Sequence, residues 1–306
     1  MLAEKEVDPG FGDNFVPGAP VAFDIVVPTT NAALNENVRH ALTLGLPEAD
    51  NRLAPLTIVA NGPSARGLKF EGPTMALNGA INLPVFRRTG PDMWVACDPQ
   101  KLVAGFIKRP KKNTTYLVAS KCHASVFKKL KAADVRLWHL SDVEFVSGRV
   151  VPCATSVTLT SLLLAQRLGA RRIDVWGWDC CFADDGAHHA AGSELNPNNH
   201  TIDVRVGPAF AHRRRVRRLA RLHREKLPAR SKPVNGLRHD RIADRRSRER
   251  SKEFKSTPTW CLEAQEAVNI LPLLRWAGVD VVIHGDGMVR AIAAEFAAKP
   301  LPGLKL

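Results

Sequence analysis

Short apolar runs bounded by turn residues alternate along this chain with stretches in which leucine and alanine recur at helical spacing. The runs at 56–62 (LTIVANG), 73–79 (PTMALNG), 93–98 (MWVACD), 114–120 (TTYLVAS), 135–140 (VRLWHL) and 172–179 (RIDVWGWD) predict strands, as does 279–287 (VDVVIHGDG). Helices are predicted at 31–46, 99–108, 123–131, 156–170 and 259–278, the last with a kink at Pro272. Strands that are apolar on both faces and alternate with helices belong to a parallel sheet covered on two sides. The fold class read from the pattern is α/β, a doubly wound, mostly parallel sheet in one principal domain with no internal repeat.

Two segments break the pattern. Residues 1–22 are rich in Gly, Pro and acidic side chains, lack apolar periodicity and are expected to form a flexible arm. TIDVRVG (201–207) and EFKSTPTW (253–260) would make a hairpin if joined directly, but residues 208–252 separate them. The principal domain is therefore expected to comprise 23–207 and 253–306. An insertion at a hairpin tip costs little, because loop-closure entropy grows only logarithmically with length.

Charge changes the view of that insertion. The formal net charge of the chain is +14, and Ala211–Lys255 alone holds 18 Lys and Arg against 5 Asp and Glu. The rest of the chain is almost neutral, so basicity is a property of one segment and not of the fold. The segment is expected to be disordered and solvated. Weak, salt-sensitive binding to nucleic acid is the functional alternative for it.

Composition closes other classes. No apolar run approaches the ~20 residues a spanning helix needs, so no membrane span is expected. The N-terminal MLAEKEVDPGFGDNF lacks the basic and apolar regions of a secretory signal. The six cysteines include no CxxC pair and make no disulfide framework for a chain of 306 residues. A reduced, cytoplasmic protein is the expectation.

In open α/β sheets ligands bind outside the carboxyl ends of the strands, and the residues with chemistry to offer fall at those ends. The first strand ends in Asn61-Gly62-Pro63-Ser64, where glycine lets a backbone approach a phosphate and the polar side chains can bond phosphate or ribose. It is neither a P-loop nor the dinucleotide fingerprint, which disfavours a NAD-dependent dehydrogenase. The second strand ends in Asn78-Gly79. The third ends in Asp98, which can hold a metal–phosphate complex or cap the next helix. The strand at 172–179 ends in Gly177-Trp178-Asp179, and Cys180, Cys181, Asp184, Asp185, His188 and His189 follow, enough titratable groups for an acid–base loop. A zinc site from Cys180, Cys181, His188 and His189 is disfavoured, because adjacent residues rarely aim into one tetrahedron.

The ordered set IVANGPSARGL, MALNGAINLP, WVACDP, YLVASKCHASVFKKL, RRIDVWGWDCCF and AHHAAG resembles the MptE-like family. That family is named for an archaeal 6-hydroxymethylpterin diphosphokinase and includes Maf flagellin glycosyltransferases and phage-associated proteins. The spacing of Asn-Gly-Pro-Ser and the second Asn also resembles bacterial sialyltransferases with a Rossmann-like nucleotide fold. The resemblance covers about 55–205, skips the basic segment and resumes at 254–295. It implies a Rossmann-like transferase that moves a diphosphate or glycosyl group from a nucleotide donor, ATP or a nucleotide-sugar, to a hydroxyl of a small-molecule or glycan acceptor. Carried over by position, Asn61, Gly62, Pro63 and Ser64 would hold phosphates, with Asn78 and Gly79 at the ribose or base. Gly177 would line the nucleotide site. Asp98 and Asp179 would face the phosphates, directly or through Mg²⁺, and Asp179, His188 and His189 would be the catalytic groups. The alternative from another class is a non-catalytic nucleotide- or nucleic-acid-associated protein working through the basic segment.

Overall fold

A computed structural model describes residues 55–140, 150–151, 154–190, 202–206 and 252–294. The predicted arm (1–22), the predicted helix at 31–46 and almost all of the basic segment lie outside the described residues.

Eight strands form one sheet in which every neighbouring pair is parallel. They are β1 (Leu56–Val59), β2 (Thr74–Leu77), β3 (Met93–Ala96), β4 (Thr115–Ala119), β5 (Asp134–Leu140), β6 (Val150–Val151), β7 (Arg172–Trp176) and β10 (Asp280–Ile283), in the order β10-β7-β1-β2-β3-β4-β5-β6. Strands β1, β2 and β3 are buried along their whole length, which is why their sequences run apolar without alternation. Trp94 and Tyr116, both fully buried on neighbouring strands, meet edge to face at 5.6 Å.

From β1 the chain steps outward strand by strand to β6, and then returns through α3 (Val157–Arg167) to place β7 on the other side of β1. Right-handed crossovers put the outgoing and returning connections on opposite faces, so the sheet is doubly wound as the pattern predicts. The reversal also creates a topological switch point between β1 and β7.

The outgoing connections are short: 3-10 turns at Pro63–Gly67 and Asn78–Asn82, and small helices α1 (Val103–Phe106) and α2 (Ala124–Lys129). The returning side carries the longer elements, α3 and α4 (Pro258–Trp276), followed by α5 (Met288–Ile292). Both long helices begin with side-chain caps: Ser156 accepts from Leu159 N and Thr257 from Trp260 N. Helix α4 runs on through Pro272.

The predicted hairpin forms. β8 (Ile202–Val206) pairs antiparallel with β9 (Lys252–Ser256), apart from the main sheet. Val206 pairs with Lys252, so residues 207–251 enter and leave the fold at adjacent points. Lys252 belongs to the strand, one residue inside the expected limit of the basic segment. Val204 and Val206 are buried, which fixes the face the hairpin turns inward.

Candidate functional site at the β1–β7 switch point

A cleft of about 140 Å³ opens at the carboxyl ends of β1 and β7. Asn61 and Gly62 line it from the first strand, Trp178, Asp179 and Cys181 from the seventh, and His188, His189, Trp260 and Glu263 close it. The volume is below the ~300 Å³ at which pockets for drug-sized ligands begin, so the cleft takes a single ring and not a whole nucleotide.

The turn after β1 is tied to the turn after β7. Gly62 N donates to Gly177 O at 2.8 Å, and Ser64 N donates to Asp179 Oδ2 at 2.8 Å. Gly177 N in turn donates to Ser64 Oγ at 2.9 Å, and that hydroxyl also bonds Asp179. The phosphate role expected of Asn61-Gly62-Pro63-Ser64 falls on a turn whose backbone amides are engaged by these bonds. Proline has no N–H, and the amides of Gly62 and Ser64 are spent on the neighbouring turn.

Gly62 is required here by its own chain. A Cβ on it would stand 2.4 Å from Asp179 Oδ2 and 2.6 Å from Gly177 O. Gly177 itself has φ +73° and passes Ala60 O so closely that a Cβ would lie 2.4 Å away. The close approach is therefore backbone to backbone.

Asp179 is buried against this turn, and burial raises its carboxyl above the ordinary range, with the two Ser64 bonds opposing. The Gly285 and Gly287 turn walls its other side. Its carboxylate is the staple that holds three loops together.

Asp98 lies elsewhere. Its Oδ1 accepts from Gln100 N at 2.8 Å in a local turn that precedes α1, so it does not cap that helix. Strands β7 and β3 are separated by β1 and β2, three steps of ~4.8 Å, or about 14 Å. Magnesium binds oxygens at ~2.1 Å, so one ion cannot be shared by Asp98 and Asp179. Among the described residues no three His, Cys, Asp or Glu side chains are placed to hold a metal ion. The zinc arrangement at Cys180, Cys181, His188 and His189, disfavoured from the sequence, does not form such a group. Burial raises the Cys180 thiol well above its usual range and takes Cys181 to about 11, so neither is a ready nucleophile.

The two histidines do come to the cleft. The segment that carries them turns tightly at Ala183–Ala187, where Ala183 N donates to Ala187 O at 2.8 Å. The Nδ1 atoms of His188 and His189 are in hydrogen-bond contact, so one donates and the other accepts. Each ring then presents its Nε2 in a tautomer set by the other. Trp260 stands 6.4 Å from the His188 ring and 6.3 Å from the His189 ring, and Phe182 completes an aromatic wall 5.7 Å from His188. Phe182 N donates to Lys255 O and Ser256 Oγ donates to Cys180 O, which anchors the loop to β9.

Asn78 adopts φ +46°, and its side-chain oxygen is buried without a partner among the described residues. Its carbonyl accepts from Trp94 Nε1 at 2.8 Å. Leu77, just before it, lines the cleft, whereas Asn78 and Gly79 flank it on the adjoining strand end.

Sequence reasoning missed Glu263. Its Oε1 accepts from Ser156 Oγ and from Trp178 Nε1, both at 2.7 Å, joining α3, α4 and the loop after β7. Burial pushes its carboxyl above the usual value near 4.5. An acid bound more tightly in the folded state stabilises the fold below its unfolded pKa, and that contribution is lost as pH rises through the folded pKa. The Glu263→Gln variant keeps both acceptor contacts and removes this loss. It should melt at or above the wild type at pH 7 and show a flatter stability profile from pH 4.5 upward in thermal unfolding. The Glu263→Ala variant strands two donors beside a cavity and should lose about 2–4 kcal/mol.

No protein-family profile matches the sequence, and no curated protein matches it. Among solved structures, the Maf glycosyltransferase of Magnetospirillum magneticum AMB-1 superposes with a TM-score of 0.46 at 9% identity. The match covers 83% of this chain and 37% of that one, so this chain spans little more than a third of that protein's length.

Proposed function

We propose that the chain is a nucleotide-dependent transferase that activates a hydroxyl at the β1–β7 switch point. The observation that carries the reading is the convergence there of the paired histidines, Glu263 and an aromatic wall, at the position where open parallel sheets bind ligands. A sugar ring or ribose fits both the volume and the lining of the cleft. Neutral polar groups bond its hydroxyls, and Trp260 offers an apolar face. His188 or His189 removes the hydroxyl proton through Nε2 while its partner fixes the tautomer. Asp179 acts as a positioning residue for the Asn61–Ser64 turn. The nucleotide portion of the donor extends over the strand ends toward Asn78, whose unpartnered oxygen can accept from a ribose hydroxyl. Whether a diphosphate or a glycosyl group moves is set by the donor.

The test is a thermal-shift screen of ATP, GTP, CTP, CMP-sugars and UDP-sugars, with and without Mg²⁺. A donor at a hundred times its Kd adds about 2.7 kcal/mol, which for a domain of this size raises Tm by roughly 5–10 °C. The Val157→Trp variant, which fills the cleft, should lose the shift. A screen with no shift, or a shift that survives Val157→Trp, overturns the reading.

A further inference from the structure

A second cleft, larger than the first, lies away from the switch point. It measures about 310 Å³ and is lined by Ile81, Asn82, Phe106 and Ile107 and by four cations, Arg87, Lys108, Arg109 and Lys111. Among the described residues no carboxylate lines it. Among the described residues none of the four cations makes an ion pair. Asp92, the carboxylate nearest in sequence to Arg87, is taken by Thr74 N and Oγ1, both at 2.8 Å.

Topology places this cleft. Arg87 belongs to the connection that enters β3, and Lys108–Lys111 to the one that enters β4, a direct neighbour of β3 in the sheet. Both sets of cations therefore approach the amino-terminal ends of these strands, whereas the histidine cleft opens at carboxyl ends.

The walls are tied together without any ligand. Asn82 Nδ2 donates to Phe106 O at 3.0 Å, joining the turn after β2 to the end of α1. Lys111 N donates to the hydroxyl of buried Tyr116 at 2.7 Å, and Lys111 Nζ donates to Arg87 O, joining the two cationic limbs. Lys129 Nζ reaches Ile107 O at 3.1 Å from α2. Phe106 and Ile107 are buried and give the floor an apolar surface.

Like charges that line one cleft repel one another, and an anion that meets several at once relieves that repulsion. Two arginines offer planar forks suited to phosphate oxygens and two lysines add point charges. We propose that this cleft is a binding site for a diphosphate group, free or carried on an organic moiety that lies on the Phe106–Ile107 floor. The site is separate from the transferase cleft and does not depend on it.

Calorimetric titration of the full-length chain with inorganic pyrophosphate at 0.15 M salt tests this. The Arg87→Ser/Arg109→Ser double variant should bind about tenfold or more weakly, as expected when two charge-assisted contacts are lost. A control that removes equal charge from exposed positions on other elements, Lys252→Ser on β9 with Arg275→Ser on α4, should change binding less than about twofold, since exposed charges outside the cleft are screened. A single Arg109→Glu variant, whose melting curve checks its fold, should bind less tightly still than Arg109→Ser. ADP binding that is tighter than pyrophosphate and equally dependent on Arg87 and Arg109 identifies the organic diphosphate, and equal affinities identify the free one. Equal weakening by both double variants reduces the effect to net charge and overturns the proposal, as does unchanged binding in the Arg87/Arg109 variant. Val157→Trp should leave pyrophosphate binding intact, so failure here and failure of the transferase reading are told apart.

Discussion

Replacing His188 or His189 with alanine is expected to lower turnover by about 10²–10⁴-fold, the range for loss of a positioned general base, with little change in Tm. The stability expectation follows from placement. Both rings are only half-buried, and the loop that carries them keeps its backbone bonds to Lys255 O and between Ala183 and Ala187 in either variant. The activity expectation follows from the contact between the two Nδ1 atoms. That contact admits one proton, so each ring sets the tautomer of the other. On the transferase reading proposed above, removing either ring removes the base or releases its tautomer. Donor binding, followed by the thermal shift, should change much less than kcat. Added imidazole should restore part of the turnover of whichever variant lost the base itself. Alanine variants with wild-type turnover, or a loss matched by a fall in Tm, would take the pair out of the chemistry.

How much of this was legible in the sequence depends on what each residue's neighbours are. The strands could be read because β1 to β4 are buried on both faces, so an unbroken apolar run of four or five residues between turns has no other stable use. The two-residue β6 carries no such pattern and was not foreseen. The helices expected at 99–108 and 123–131 shrink to Val103–Phe106 and Ala124–Lys129, since connections between adjacent parallel strands need little length. Strand order is the step the sequence hides. Asp98 and Asp179 both end strands and look equivalent in one dimension, yet β1 and β2 stand between them. Gly62 shows the same limit at shorter range. A glycine that must admit a phosphate and one that must admit its own chain's carboxylate read alike. Glu263 had a signal. Its neighbours Cys261, Leu262, Ala264, Gln265, Ala267 and Val268 are all buried, and a carboxylate inside such an enclosed helix segment must have partners.

The convergence of three loops on Asp179 makes Gly285 a position where one added methyl should be costly. Its φ of +90° already disfavours any side chain. A Cβ there would stand 2.3 Å from Ser64 Cβ and 2.9 Å from Ser64 Oγ, with Asp179 Oδ1 at 3.1 Å. Ser64 cannot swing aside freely, because its hydroxyl receives Gly177 N and its own amide is bonded to Asp179. The clash therefore passes into the β1 and β7 turns. Backbone strain contributes about 1–2 kcal/mol and overpacking about 1–3 kcal/mol more. At roughly 2–4 °C per kcal/mol, Gly285→Ala should lower Tm by about 4–20 °C. Gly186 supplies the matched control. It has φ +78° but nothing within 4 Å of its Cβ position, so Gly186→Ala carries the backbone strain alone. Thermal unfolding of the two variants side by side isolates the packing contribution. Equal melting temperatures would show that the Gly285 turn does not press on Ser64, and that Asp179 is not enclosed as described.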